Sequence, residues 1–170
     1  MIRFIITVCF VILYLIVTIP VLFAIWLIGL RKPQIRDKVA RIMIRWAFST
    51  ILKIDGTTIT AIGRERIPRD QAVLYIGNHR SFFDILLTYV LVPDLTGFVA
   101  KKELSKFPVF KVWMKYIHCL FLDRTNIKEG LKMILEGAEK IKNGISIFIF
   151  PEGTRSHRED ELDMLEFHNG

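Results

Sequence analysis

Residues 77–84 read GNHRSFFD and place a histidine and an aspartate five positions apart. They follow the apolar run AVLYI, which is typical of a buried strand. The Asp84 carboxylate could accept a hydrogen bond from one ring nitrogen of His79 and thereby raise the basicity of the other. That nitrogen could then remove a proton from an alcohol, as a general base does. The spacing leaves a second interpretation open, because Asp84 is also suited to cap the following helix.

A second polar cluster, FPEGTRS at residues 150–156, includes the end of another apolar run, ISIFIF. A carboxylate (Glu152), a hydroxyl (Thr154) and a guanidinium (Arg155) leave the predicted strand together. Arginine, hydroxyls and backbone amides are natural phosphate ligands. Glu152 fits a pure anion site less well and could instead orient an arginine or bind substrate hydroxyls. The alternative is an ordinary turn with a surface ion pair.

A third cluster is LDRT at residues 122–125, where Arg124 follows an apolar run and could converge with Arg155. Arg124 could equally be a solvated residue at the start of a helix. A metal site is the main competing chemistry, with candidate ligands His79, Asp84, His118, Asp123, His157 and His168. No two of them have the spacing of a strong metal motif, so we expect no metal.

The segments around these clusters alternate between strand-like and helical patterns. Strands are predicted at residues 57–63, 72–77, 96–100, 119–123 and 145–150. Helices are predicted at residues 82–91, 102–117 and 126–144, the last with an apolar face of Ile127, Leu131, Ile134, Leu135, Ala138 and Ile141. The pattern predicts an α/β layered domain with a largely buried mixed sheet flanked by helices. Ligands bind beyond the carboxyl ends of strands in such sheets, so the polar clusters are well placed for a site.

The amino-terminal part of the chain has a different composition. Residues 4–30 carry no charged side chain and would extend roughly 40 Å as a helix, more than the ~30 Å hydrocarbon core of a bilayer. Pro20 predicts a kink or a hairpin-like entry. The run is too long for a signal peptide and has no A-x-A pattern before Arg31. We therefore predict that residues 1–30 are a retained membrane segment.

The net charge of +7 is concentrated directly after that segment. Residues 31–53 contain seven Lys and Arg and one Asp, whereas residues 54–170 are balanced with 16 of each sign. An anionic cytoplasmic leaflet attracts such a block, so we expect a location at the cell membrane with the following domain, residues 54–170, on the cytoplasmic face. The high pI needs no nucleic acid as a partner.

Apolar residues recur at nearly helical spacing within this basic block: Ile35, Val39, Ile42, Trp46 and Leu52. They predict an amphipathic helix over residues 31–53 that lies in the membrane interface. A helix packed on the globular core would have the same apolar stripe, and that alternative stays open. The two cysteines, Cys9 and Cys119, are not expected to form a disulfide.

Taken together, the three clusters resemble the conserved blocks of the glycerolipid acyltransferases, in particular the bacterial 1-acyl-glycerol-3-phosphate acyltransferases. NHRSFFD is similar to the family's first block, AKKELSKFP with HCLFLDR to the second, and FPEGTRS to the third. The resemblance covers roughly residues 50–170. Two features depart from it: Lys111 stands where many relatives have glycine, and no fourth block follows LEFHNG, so we expect a chain that is incomplete at its carboxyl end.

The resemblance implies that His79 is a general base and Asp84 its partner. His79 would deprotonate the hydroxyl of a lysophosphatidic acid, which then attacks the thioester of acyl-CoA or acyl carrier protein to give phosphatidic acid, without a cofactor. The phosphate grip would come from Arg124, Glu152, Gly153, Thr154 and Arg155, with Lys101 as a further candidate. The alternatives are a non-catalytic membrane-bound lipid-binding relative and a metal-dependent lipid phosphohydrolase.

Overall fold

The computed structural model describes residues 1–123 and 126–153. Its helices are α1 (Ile2–Val17), α2 (Ile19–Gly29), α3 (Pro33–Asp55), α4 (Phe83–Leu91), α5 (Pro108–Tyr116) and α6 (Ile127–Lys142). Its strands are β1 (Leu74–Ile76), β2 (Thr96–Lys101), β3 (Leu120–Leu122) and β4 (Ser146–Ile149). Two 3₁₀ turns lie at Arg64–Arg66 and Lys102–Lys106.

The four strands form one sheet in the order β1-β4-β2-β3, and each neighbouring pair is parallel. A helix follows each of the first three strands. It carries the chain from the carboxyl end of one strand back to the amino end of the next, which is the connection that parallel pairing requires. The predicted α/β fold with a helix-flanked sheet is confirmed. The prediction of a mixed sheet is wrong for the described strands, because all three of their pairings are parallel.

The strand predicted at residues 57–63 is also wrong. This segment has no strand pairing, and the side chains of Ile59 and Ile62 are exposed. Gly63 then adopts a left-handed conformation with φ 78° at the start of the first 3₁₀ turn. Residue types that favour strands form one only where a neighbouring strand supplies hydrogen bonds, and this segment has no such neighbour.

Two apolar clusters cover the opposite faces of the sheet. The larger one joins helices α2 to α5 to the sheet, with Tyr89, Trp113 and the stacked pair Phe98 and Phe148 near its centre. The smaller one contains Leu120, Met133 and Ile147 beneath α6. Helices α2 to α5 therefore share one face of the sheet, and α6 covers the other.

Helix α6 approaches the sheet mainly through residues outside its predicted apolar face, of which only Ile141 packs against the smaller cluster. Met133 and Gly137 are its buried residues, and a Cβ on Gly137 would lie 3.1 Å from Leu120 Cδ1. The glycine lets the helix backbone come close to β3. Most of the predicted apolar face is exposed instead, including Leu131 and Leu135.

The helices α1 and α2 form a bent apolar pair. No single helix among the described residues is long and apolar enough to span a bilayer, but α1 and α2 pass that test together, with a bend of 46°. The break is at Thr18, and Pro20 lies in the first turn of α2, which agrees with the predicted kink. The hydroxyl of Thr18 accepts a hydrogen bond from Trp113 Nε1 at 3.2 Å, so the bend is attached to the core.

Helix α3 has apolar residues on two faces. Ala40, Ile44 and Ala47 are buried in the core, whereas Ile42 and Trp46 are exposed. The alternative of a helix packed on the core therefore holds for one face. The division into a membrane segment, an interfacial helix and a catalytic domain stays a prediction.

Candidate active site

The loop after β1 carries Asn78 and His79 to the carboxyl edge of the sheet, beside the end of β4. Gly77 is needed here for space and not for a sharp turn, because its φ is not positive. A Cβ on Gly77 would lie 3.1 Å from Phe148 Cζ. The glycine therefore allows the loop to pass close to the aromatic core.

The predicted histidine–aspartate pair is formed. His79 Nδ1 lies 3.0 Å from Asp84 Oδ2. The same oxygen accepts hydrogen bonds from the backbone N–H groups of Arg80 at 2.7 Å and Ser81 at 2.8 Å. Asp84 thus holds the loop that precedes its helix and also contacts the imidazole. It does not cap the helix, because α4 has Phe82 at its N-cap and no side-chain cap hydrogen bond.

The His79 ring is held between this carboxylate and an aromatic side chain. It stacks on Phe150 with a centroid distance of 4.4 Å and an angle of 23°. Phe150 in turn contacts Phe148 in the core at 4.9 Å. The His79 side chain keeps 16% of its surface exposed, so a substrate can reach it. Among the described residues, Nε2 of His79 has no hydrogen-bond partner.

Glu152 holds the loop from the other side. Its side chain is buried, and its Oε1 accepts hydrogen bonds from Asn78 Nδ2 at 2.9 Å and from the backbone N–H of His79 at 3.1 Å. Within the described part of the chain, Oε2 has no partner. Glu152 therefore fixes the backbone of His79, a role that the sequence did not reveal. The sequence feature that could have indicated this role is the carboxylate of Glu152, because a carboxylate fits a pure anion site poorly.

Two further predicted ligands lie at the same edge. Gly153 has φ 66°, a left-handed conformation that favours glycine, and its N–H donates to Phe150 O at 3.1 Å in the turn after β4. Lys101 ends β2 with an exposed side chain. Its neighbour Lys102 forms ion pairs with Asp123 at 3.1 Å and Glu129 at 2.9 Å.

Arg124, Thr154 and Arg155 lie outside the described residues. The predicted convergence of the two arginines on one phosphate therefore stays a prediction. The structure brings His79, Asp84, Glu152 and Gly153 together at neighbouring strand ends. That arrangement can hold an oriented imidazole beside a turn with backbone N–H groups.

Comparison with known proteins identifies the family. The model of the family described as Acyltransferase matches residues 58–170, about two thirds of the chain. The chain is 36% identical over 130 residues to a probable 1-acyl-sn-glycerol-3-phosphate acyltransferase of Mycoplasma pneumoniae, covering 72% of this chain and 46% of that protein. It is 33% identical over 116 residues to the 1-acyl-sn-glycerol-3-phosphate acyltransferase of Saccharomyces cerevisiae, covering 68% of this chain and 38% of the yeast protein.

The fold is similar to a solved structure. The crystal structure of the 1-acyl-sn-glycerophosphate (LPA) acyltransferase PlsC from Thermotoga maritima matches with a TM-score of 0.69 and 26% identity, covering 98% of this chain and 68% of that one. The chain belongs to the acyltransferase family. It spans less than half the length of the two curated relatives above.

Proposed function

We propose that this protein transfers a fatty acyl group to the free hydroxyl of 1-acyl-glycerol-3-phosphate, giving phosphatidic acid. The observation that carries the proposal is the distance of 3.0 Å between His79 Nδ1 and Asp84 Oδ2 at the carboxyl edge of a parallel sheet. The names of the relatives from Mycoplasma and yeast support the choice of acceptor.

His79 is the general base in this proposal. Asp84 Oδ2 accepts hydrogen bonds from two backbone N–H groups, which fix its position. A proton on His79 Nδ1 donates a third hydrogen bond to the same oxygen. This selects the tautomer in which Nε2 carries the lone pair. Nε2 takes the proton of the acceptor hydroxyl as the oxygen attacks the thioester carbonyl of acyl-CoA or acyl carrier protein. The C–S bond of the thioester then breaks, and the sulfur leaves as a thiol with the proton that Nε2 had taken, which regenerates the neutral imidazole. No cofactor takes part.

In this proposal five residues bind the acceptor, with the two arginines on its phosphate: Lys101, Arg124, Gly153, Thr154 and Arg155. Glu152 is buried and acts by holding the loop of His79. Holding both substrates beside the base supplies much of the rate by removing the entropy of their encounter. The acceptor and the product are lipids, so we place the protein at the cell membrane with the site on the cytoplasmic face.

The test is acyl transfer from labelled acyl-CoA to 1-acyl-glycerol-3-phosphate by the full chain in membranes. We expect the wild type to form phosphatidic acid and His79→Ala to lower kcat by about 10²- to 10⁴-fold, the usual contribution of a general base. A second histidine–aspartate pair provides the matched control. His118 Nε2 lies 2.8 Å from Asp37 Oδ2, just before the amino end of β3 and away from the carboxyl ends where His79 lies.

The control variant is His118→Asn, because asparagine tolerates the left-handed backbone of residue 118, with φ 61°. It should keep near-normal turnover. Near-normal turnover by His79→Ala would show that the base is assigned wrongly. Absence of product from the wild type would contradict the proposed activity itself.

A further inference from the structure

An arginine-lined cleft lies apart from the histidine site. It has a volume of about 220 Å³ and is lined by Arg45, Arg64, Ile67, Arg69 and Pro93. We call it the arginine cleft. Arg45 comes from the middle of α3, Arg64 from the first 3₁₀ turn, Arg69 from the segment before β1 and Pro93 from the α4–β2 connection. Four separate parts of the chain therefore meet around it.

The positive charges of the arginine cleft are not neutralised within the described structure. None of Arg45, Arg64 and Arg69 forms an ion pair with a carboxylate of residues 1–123 or 126–153. The acidic residue beside Arg64 is Glu65, whose nearest cationic partner is Arg66 at 3.8 Å. The lining of the cleft thus contains three cations and no carboxylate. Asp70 and Asp94 are also neighbours of lining residues in sequence, but they form no ion pair with the three arginines in the described structure.

Electrostatics at Arg45 agree with this geometry. Burial lowers the pKa of Arg45, and the charges of Arg41 and Arg64 lower it further. Two of these arginines have a structural contact: Arg45 Nη1 lies 3.5 Å from Val92 O, and Arg41 Nη2 donates to Pro93 O. For Arg64 and Arg69, no side-chain hydrogen bond to another described residue explains their position. An anion in the cleft would relieve the repulsion.

The arginine cleft is distinct from the proposed catalytic site. Helix α4 begins next to His79 with Asp84 in its first turn and ends at Leu91, just before Pro93. Its nine residues separate the two places by about 13 Å along the helix axis. The cleft therefore lies towards the amino ends of the strands, whereas His79 lies at their carboxyl ends.

We infer that the arginine cleft binds a phosphate group, carried either by an anionic phospholipid headgroup or by a soluble phosphate ester. The guanidinium groups of arginine match phosphate oxygens with two parallel hydrogen bonds each. The cleft volume is below the roughly 300 Å³ at which pockets for drug-sized ligands begin. The cleft therefore suits a phosphate-bearing headgroup better than a complete drug-sized molecule. This inference goes beyond the proposed acyl transfer and does not depend on it.

The first arm of the test measures binding of the full chain to vesicles of phosphatidylcholine with and without phosphatidylglycerol. The variants are Arg64→Ala and Arg69→Ala. The matched control is Arg66→Ala, which removes one charge from the same turn but is 88% exposed and does not line the cleft. Loss of one basic residue near an anionic surface weakens binding by about fivefold. We expect about tenfold or more for the two cleft variants, as for a charge-assisted hydrogen bond.

The second arm uses inorganic phosphate as the soluble probe. It measures the rise in the midpoint of thermal unfolding in sodium phosphate relative to sodium chloride of equal ionic strength. The proposed catalytic site binds phosphate as well, but it is the same in all three variants. A rise that Arg66→Ala keeps and the two cleft variants reduce by half or more therefore reports the cleft.

The outcomes separate the two sources. A selective loss by the cleft variants in the vesicle arm, with or without a loss in the phosphate arm, assigns a lipid headgroup. A selective loss in the phosphate arm alone assigns a soluble ester. Equal losses in all three variants would mean diffuse surface charge and would overturn the inference. So would the absence of any loss in both arms, or of any binding by the wild type.

Discussion

At the scale of single residues, the proposed general base is positioned by two carboxylates with different tasks. Asp84 contacts the imidazole of His79, and Glu152 contacts its backbone N–H and the side chain of Asn78. Phe150 supports the face of the ring. The position of the imidazole thus depends on Phe150 and Glu152, which lie 71 and 73 positions later in the sequence, as well as on its neighbours.

The role of Glu152 as a positioning residue gives a prediction. Glu152→Ala leaves two donors of the loop without their acceptor, which should lower kcat about tenfold or more and cost about 1–3 kcal/mol of the free energy of unfolding. Glu152→Gln keeps an acceptor oxygen and should recover most of both. Kinetics and chemical denaturation measure the two effects. The exposed Glu65→Ala is the control, and an Ala variant with unchanged kcat would refute the role.

The buried thiol of Cys119 gives a prediction about pH. Burial raises the pKa of this thiol to about 12, from its ordinary value of 9.0. Between these two values the unfolded chain loses the proton and the folded chain keeps it, so the free energy of unfolding falls as pH rises. From pH 8 to pH 10 this group should contribute a loss of about 1 kcal/mol.

The measurement is urea unfolding at both pH values. Cys119→Ala removes the contribution of the thiol to this pH dependence. The contribution of Tyr89, whose pKa is also raised by burial, remains. The variant should therefore lose less stability than the wild type between pH 8 and pH 10. Identical slopes for the two proteins would contradict the prediction.

At the scale of elements, close backbone approach determines where β2 and β3 meet. A Cβ on Gly97 of β2 would overlap the backbone carbonyl of His118, just before β3. His118 itself has φ 61°, uncommon for a residue with a side chain. Neither backbone has an obvious way to retreat, because each is tied to its own strand.

We therefore predict that Gly97→Ala lowers the free energy of unfolding by about 1–3 kcal/mol, the usual cost of overpacking. Gly130→Ala is the matched change in α6, where the nearest atom to the new Cβ would be Leu122 Cδ1 at 3.9 Å. It should stabilise the protein by about 0.5–1 kcal/mol, because alanine favours a helix interior. Thermal and chemical unfolding measure both, and a neutral Gly97→Ala would show that the strands can separate freely.

At the scale of the whole molecule, different helices cover the two faces of the sheet. The bent pair α1 and α2 packs with α3 on one side and exposes many large apolar side chains, and α6 lies on the other side. The basic block of residues 31–53 is on the same side as the bent pair. Helix α6 also exposes large apolar side chains, so the basic block beside the bent pair is the reason for placing the bilayer against α1 to α3.

The corresponding prediction uses the same substitution on both sides. Leu13→Glu with Ile16→Glu on α1 should reduce vesicle binding more than tenfold, since a charge inside hydrocarbon costs several kcal/mol. Leu131→Glu with Ile134→Glu on α6 is the control and should leave binding near the wild-type level, although these side chains are about equally exposed. Equal release by both pairs would place the membrane elsewhere, and flotation assays measure it.

The sequence by itself determined the local elements and the chemistry of the site. Apolar runs and capping residues predicted β1 to β4 and α4 to α6, and the His79–Asp84 spacing predicted a contact within one loop and one helical turn. These features depend on residues near each other in the chain, where periodicity and spacing are informative.

Only the tertiary structure decided which surfaces meet. Residues 57–63 have strand-forming residues but no partner strand, and α6 packs through Gly137 because the sheet approaches there. Glu152 reaches Asn78 because β4 lies beside β1, a pairing that no local pattern encodes. Long-range pairing is set by the packing of the whole core, so its consequences for the site become visible only once the chain is folded.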